Sequence, residues 1–180
     1  MNVSSLIASS IRHSVVEVFC TMLSADIKPG EPAVEAAAAE PGDGVVSFIG
    51  LVGAWTGSGS VSCSPALACR VCSQMLMTEA SSVNEDVLDA IAELTNMIIG
   101  NVKNDLERHL GQLGLSIPTV IFGRNFKTKS ASSAEWVVER FQWDSDVFQV
   151  KVCLAQNEGH RPGTAHPIGQ TCPLEVKPPV

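Results

Sequence analysis

The stretch 86–110 constrains the fold of this chain more than any other. In this stretch, mostly apolar side chains recur every three or four positions, as on one face of an α-helix. These residues are Leu88, Ile91, Thr95, Ile98, Val102 and Leu106. At about 100° per residue, a second set is predicted to lie nearly opposite and comprises Asp89, Glu93, Asn96 and Gly100. The pattern predicts a long helix with one buried face and a small polar patch on the other.

Length and composition are typical of one folded domain without a nucleic-acid surface. A chain of 180 residues is within the size range of a single domain, and 45% hydrophobic residues suffice for a core. The net charge of −7 and the pI near 5.0 argue against a nucleic-acid partner, which needs a basic surface. The chain shows neither a secretory signal nor an apolar run of about 18 residues. We therefore expect a cytoplasmic protein that does not enter a membrane.

Before the long helix, the sequence predicts a helix, a hairpin and a second helix. Apolar spacing predicts the first helix over 3–23, and 32–44 is either a short strand or irregular. The β-branched stretch 45–55 is typical of a buried strand, and the Gly- and Ser-rich stretch 56–59 predicts a turn before a returning strand at 60–63. Ser64 and Pro65 then favour a helix start, with the helix running to about residue 79.

The rest of the chain completes an α+β pattern. Ser82 and Glu85 fit a capping box before the long helix, which 111–114 ends. A strand is predicted at 117–122, a polar loop at 123–133, and a second hairpin from 134–143 and 147–155 around a turn at 144–146. We predict an α+β fold, an antiparallel sheet built from hairpins with long helices packed on one face. Residues 1–155 would form the domain and 156–180 a flexible tail rich in Pro and Gly.

The residues usual in metal, redox or nucleotide sites do not form a convincing site. Cys69 and Cys72 form a CxxC inside a predicted helix, where two small core cysteines are a better interpretation than a redox pair. The tail residues His160, His166 and Cys172 have a spacing that matches no compact metal site. The stretch 56–59 lacks the Lys-Ser/Thr pair of a phosphate-binding loop. We expect no metal and no cofactor of its own.

The polar patch of the long helix allows two interpretations. Asn96 is a weak helix former because its amide competes for backbone hydrogen bonds. Gly100 costs roughly 1 kcal/mol relative to Ala within a helix. Together they would present an amide that donates and accepts, on a face with little bulk, one turn from the carboxylate of Glu93. Such a patch can hold a water molecule and meet a partner, but solvated polar residues are also the rule on an outer helix face.

The same residues resemble a family pattern. An acidic residue, Glu, Asn and a later Pro occur here as Asp89, Glu93, Asn96 and Pro118, inside and after AELTNMIIGN. With MLSADIKPGEP and FIGLVGAWTGSGSVSCS, the chain resembles the CheC/CheX/FliY family of bacterial chemotaxis phosphatases over about 6–155. Twenty-one residues separate Asn96 from Pro118, about one fewer than the pattern has. The chain has one copy of Glu-x-x-Asn, as in the CheX type, whereas CheC and FliY often have two.

The resemblance implies a CheC/CheX-like fold and a phosphatase that acts on the phospho-aspartate of a CheY-like response regulator. Asn96 would orient the attacking water, Glu93 would pair with the receiver's Lys, and Asp89 and Gly100 would contribute to substrate binding. The receiver would supply Mg²⁺, and the phosphatase would form a homodimer through sheet edges. One alternative is a non-enzymatic adaptor that binds a receiver or a flagellar partner through the same helix. Another is a redox or metal-sensing module that uses the cysteines and the tail histidines.

Overall fold

The computed structural model describes residues 2–30, 33–35, 42–126 and 135–157. Three helices occur in this part of the chain: α1 (Val3–Leu23), α2 (Pro65–Leu76) and α3 (Glu85–Leu110). The strands are β1 (Lys28–Pro29), β2 (Ala33–Glu35), β3 (Gly42–Gly53), β4 (Trp55–Cys63), β5 (Leu113–Leu115), β6 (Thr119–Phe126), β7 (Trp136–Trp143) and β8 (Asp146–Gln156). The predicted helices and hairpin strands are therefore present, with β1 and β5 in addition.

The strands form one antiparallel sheet. Its order is β1-β7-β8-β4-β3-β5, with β2 also on β7 and β6 also on β3. In the central pair, Val45 lies opposite Cys63 and Leu51 opposite Gly57. Alternate residues of β3 and β4, such as Val45, Ile49 and Val61, belong to the same buried cluster as the helices. The α+β prediction, with helices on one face of an antiparallel sheet, is confirmed.

Helix α1 packs against α3 and β7. Its Ile11 and Val15 are fully buried, and the ring of Phe19 stacks on Phe148 of β8 at 4.8 Å between centroids. By length and composition alone this helix could cross a membrane. Because one side of it is buried in the domain core, packing accounts for its hydropathy.

Helix α3 is the centre of the helical layer and contacts α1, α2 and the sheet. Its buried set is wider than predicted, since Val87, Ala90, Leu94 and Ile99 join the expected stripe, whereas Leu88 is only partly buried. The predicted capping box at Ser82 is wrong. The helix is capped instead by Asn84, whose Oδ1 accepts a hydrogen bond from the Val87 N–H at 3.0 Å.

The first hairpin differs from its prediction at the turn. Residues 56–59, predicted as the turn, lie within β4, and the chain reverses around Ala54. There the left-handed Gly53 (φ +148°) packs against the carbonyl of Gln112, which also accepts a hydrogen bond from the Ala54 N–H. Next to this turn, β3 and β4 no longer pair with each other. The end of β3 pairs with β5 instead, and the start of β4 pairs with β8. These partners are distant in sequence, so the local Gly/Ser signal misplaced the turn.

The start of α2 matches its prediction and its end does not. Ser64 Oγ accepts a hydrogen bond from the Leu67 N–H at 3.1 Å, with Pro65 in the first turn. The helix ends at Leu76 rather than near 79, because Met77 adopts a left-handed conformation (φ +55°). Cys69 and Cys72 are both buried in the core, as predicted.

After α3 the chain returns to the sheet sooner than predicted. Gly111 (φ +85°) ends the helix, and β5 begins within the expected turn 111–114. Strand β6 begins directly after Pro118 and runs to Phe126, into the predicted loop 123–133. The second hairpin is confirmed, with its turn at 144–145. The tail prediction, including His160, His166 and Cys172, lies almost entirely outside the described residues.

Candidate functional site

The predicted patch residues of α3 lie on an exposed side of the helix. Asp89, Glu93 and Asn96 are all exposed, while their neighbours Leu94 and Thr95 are buried. Thr95 Oγ1 donates a hydrogen bond to the Ile91 carbonyl at 2.7 Å, so its hydroxyl is satisfied within the helix. The packing of α3 against the sheet fixes the rotation of the helix. It therefore fixes the direction in which the patch faces.

The segment 116–118, which joins β5 to β6 and which we call the arch, forms a second wall beside the patch. It is tied to β3 at one point. The Ser116 N–H donates to the Gly50 carbonyl at 2.9 Å, and Ser116 Oγ accepts from the Gly50 N–H at 2.8 Å. The strands on both sides of the arch also pair with β3. The arch is therefore held in place from both ends and at its base.

Helix and arch together enclose an open groove of about 360 Å³. Its lining residues from α3 are Asp89, Ala92, Glu93 and Asn96, and those from the arch are Ser116, Ile117 and Pro118. All four residues of the family pattern thus line one groove, although Pro118 is distant from the other three in sequence. The patch is the wall of a groove rather than an isolated outer face.

Gly100 does not line this groove. A Cβ built at this position would have Leu115 Cδ1 of β5 as its nearest neighbour, at 3.9 Å, which is ordinary contact. Two turns further on, Glu107 connects α3 to the same strand and pairs with Lys103 on α3. Glu107 Oε1 accepts from the Leu113 N–H at 2.8 Å and its other oxygen lies 3.0 Å from Lys103 Nζ. These contacts hold the pKa of Glu107 below its ordinary value.

The groove presents polar groups that are free to act on a partner. Within the described part of the chain, neither the Glu93 carboxylate nor the Asn96 amide has a hydrogen-bond or ion-pair partner. A carboxylate can accept from a cation, and an amide can accept and donate at once. No group of three or more His, Cys, Asp or Glu that could hold a metal occurs among the described residues.

Three groove residues, Ala92, Ser116 and Ile117, were not predicted as site residues from the sequence. Ile117 was predicted to begin a strand, and Ser116 carried no predicted role. The position of Ser116 and Ile117 depends on Gly50, which is far away in the chain and supplies both of the backbone groups that Ser116 binds. The local signal available was an apolar residue directly before Pro118, because a residue before Pro favours extended backbone.

The chain matches known chemotaxis proteins in sequence and in structure. Residues 45–142 match the family described as chemotaxis phosphatase CheX, and this range contains the whole groove. The CheY-P phosphatase CheX of Thermotoga maritima is 35% identical over 126 residues, which cover 69% of this chain and 80% of that protein.

Solved structures of chemotaxis proteins share the fold. A chemotaxis protein CheX from Desulfovibrio desulfuricans has a TM-score of 0.75 and 28% identity, over 83% of this chain and 99% of that one. The CheX–CheY–BeF₃–Mg²⁺ complex from Borrelia burgdorferi matches with a TM-score of 0.71 and 21% identity, over 82% of this chain and 97% of that one. This chain therefore belongs to the chemotaxis phosphatase CheX family, because the family matches more than half of the chain and the chain covers most of the Thermotoga maritima relative.

Proposed function

We propose that this protein is a phosphatase that hydrolyses the aspartyl phosphate of a CheY-like receiver domain. The observation that carries the proposal is the groove in which exposed, unpartnered Glu93 and Asn96 lie side by side on α3. Membership of the CheX family and the similarity to a CheY-P phosphatase support it. The protein would act in the cytoplasm, where we expect it from its sequence.

The proposed mechanism completes the active site of the receiver. The Asn96 amide would enter beside the phospho-aspartate and hold a water in line with the bond to be broken. The water oxygen forms the new bond to phosphorus, the bond from phosphorus to the aspartyl oxygen breaks, and the products are the free carboxylate and inorganic phosphate. A Mg²⁺ ion bound by the receiver would stabilise the charge on the phosphoryl oxygens. This explains how a chain could act through a positioned amide rather than a nucleophile of its own.

Glu93 and Asp89 would orient the receiver. Glu93 lies one turn before Asn96 on the same side of α3, so it could bind the receiver's active-site Lys while Asn96 meets the phosphoryl group. Asp89, one turn further, adds negative charge to the same wall and would favour a basic rim on the partner. Gly100 lies outside the groove, and it would contribute to substrate binding by leaving the surface of α3 beside Leu115 without a side chain that could obstruct the receiver.

The test compares the decay of a phosphorylated receiver with wild type, Asn96→Ala and Glu93→Ala. Each receiver domain of the host is labelled from a phosphodonor, and decay is followed under single-turnover conditions. We expect acceleration by wild type and a loss of at least about 100-fold with Asn96→Ala, since a lost positioning group costs on that order. Glu93→Ala should lose activity mainly through weaker binding. The matched control is Asn104→Ala, which removes another exposed Asn from α3.

The outcomes separate the phosphatase from the adaptor. Full activity of Asn96→Ala would show that the amide does not orient the water. Tight binding of a phosphorylated receiver by wild type, with no change in its decay, would instead identify a non-enzymatic adaptor. All three α3 variants should unfold at or slightly above the wild-type temperature, because the substituted side chains are exposed and Ala favours the helix.

A further inference from the structure

One large apolar side chain of the groove projects into solvent. Ile117, in the middle of the arch, is 88% exposed, whereas most isoleucines of the described chain are buried. Single exposed apolar residues are common and need no function. Ile117 differs because it lies in the groove that holds Glu93 and Asn96.

The arch presents Ile117 in a fixed position. Ser116 binds both backbone groups of Gly50, and Pro118 fixes its own φ angle on the other side. Ser116 Oγ also donates to the Ile117 carbonyl at 3.1 Å. The backbone that carries the side chain is therefore ordered before any partner binds. Such preorganisation lowers the entropy that a partner must remove on binding.

The two walls of the groove differ in chemistry. The wall from α3 carries two carboxylates and an amide, which suit a cation and a phosphoryl group. The arch ends in an aliphatic side chain and a proline ring, which suit an apolar surface. A partner that places its phosphorylated site against Asn96 must also cover Ile117, because both line the same groove.

We propose that Ile117 is the apolar anchor by which this protein docks on the phosphorylated receiver domain, and that it sets the affinity for the receiver rather than the chemical step. The inference rests on the proposed phosphatase function. The occupant is an apolar patch of the receiver next to its phosphorylation site. Buried aliphatic anchors dominate the energetics of many interfaces, and polar groups around them define register.

The test separates KM from kcat. Decay of the phosphorylated receiver is measured against receiver concentration for wild type, Ile117→Ala and Ile117→Leu, and the Kd is measured for the same receiver loaded with beryllofluoride and Mg²⁺. Removing the outer methyl groups of Ile117 should raise both KM and Kd about tenfold or more, with kcat within about twofold of wild type. Ile117→Leu should restore most of the affinity, since it restores the apolar volume.

The control variant is Val147→Ala. Val147 is 57% exposed and lies on β8 at the second hairpin turn, away from the groove. It should leave KM, Kd and kcat unchanged. Thermal unfolding of Ile117→Ala should match wild type because the side chain makes few contacts in the free protein.

Each result bears on one of the two proposals. Unchanged KM and Kd for Ile117→Ala would overturn the anchor, and so would a lower kcat at unchanged KM, which would assign the arch to the chemistry instead. Wild type that binds the beryllofluoride form but does not accelerate decay would overturn the phosphatase alone, while Kd would still test the anchor. Wild type that neither binds nor acts on any host receiver would overturn both.

Discussion

Gly59 on β4 allows Ile99 of α3 to approach the sheet closely, and its replacement by Ala tests whether this packing positions the groove. A Cβ at Gly59 would lie 2.7 Å from Ile99 Cδ1, 2.9 Å from Cγ1 and 3.0 Å from Cγ2. Carbon atoms in good contact are about 3.5–4.0 Å apart. The helix must therefore move outward by up to about 1 Å, or Ile99 must leave its rotamer. Because Ile99 lies one turn from Asn96, an outward shift of α3 moves the groove wall with it.

We expect Gly59→Ala to destabilise the protein by about 2 kcal/mol, within the usual range for an overpacked core. For a domain of this size the melting temperature would fall by about 4–8 °C. The arch is tied to β3 and Asn96 to α3, so a shift of about 1 Å between them should also lower kcat for receiver dephosphorylation by about 10- to 100-fold. Thermal unfolding and single-turnover decay measure the two effects.

Two further variants identify the cause. Ile99→Val removes Cδ1, the atom nearest to the added methyl group, so Gly59→Ala with Ile99→Val should be about 1 kcal/mol more stable than the two single effects predict. Gly123→Ala on β6 is the matched control, because its Cβ would have Phe126 Cδ1 as its nearest neighbour at 3.6 Å. It should be neutral or slightly stabilising. Wild-type stability and kcat for Gly59→Ala would refute the reasoning.

Three other substitutions or treatments have defined outcomes. The fully buried carboxylate of Glu139 accepts a hydrogen bond from Arg12 Nε at 2.8 Å, and Arg12→Ala removes this partner. The substitution should lower the free energy of unfolding, measured in urea, by about 2–3 kcal/mol. The loss should be smaller than for a fully buried pair because Arg12 is partly exposed. Replacing both residues by apolar ones should recover most of the loss, and a single variant as stable as wild type would contradict this. The hydrogen bond from Leu113 lowers the pKa of Glu107 from its ordinary value of 4.5. Its charge therefore stabilises the fold above about pH 4.5, and this stabilisation is lost as the pH falls through the folded-state pKa. At pH 7 the urea midpoint of wild type should exceed that of Glu107→Gln, and the difference should shrink in acid. Burial raises the pKa of the Cys63 thiol to about 12, so iodoacetamide at pH 8 should label the exposed Cys20 and not Cys63, as read by mass spectrometry of peptides.

Local patterns in the sequence were sufficient for the helices and for most strands. The three- and four-residue spacing in α3 follows from helical geometry alone, and Ser64 with Pro65 satisfies the first turn of α2 without help from the rest of the chain. The positions that were misplaced depend on distant partners. Residues 56–59 look like a turn because Gly and Ser favour turns, but Gly59 is needed in a strand so that Ile99 can approach.

In the candidate site, too, some residues could be identified from the sequence and others depend on distant parts of the chain. Glu93 and Asn96 could be identified from the sequence because a helix fixes their relative positions, and the family pattern gave them roles. Spacing cannot show what stands beside the helix. That Pro118 and Ile117 lie across a groove from Asn96 depends on β5 and β6 pairing with β3 and on Ser116 binding Gly50.

The sequence by itself determined the helices, the antiparallel α+β class and the two polar residues on one side of α3. These follow from backbone geometry and from interactions between residues within a few positions of each other. Only the tertiary structure decided that these residues wall a groove and that an isoleucine stands exposed beside them. The physical reason is that a groove has two walls, here from parts of the chain that meet only when α3 packs against the sheet and β3 fixes the arch.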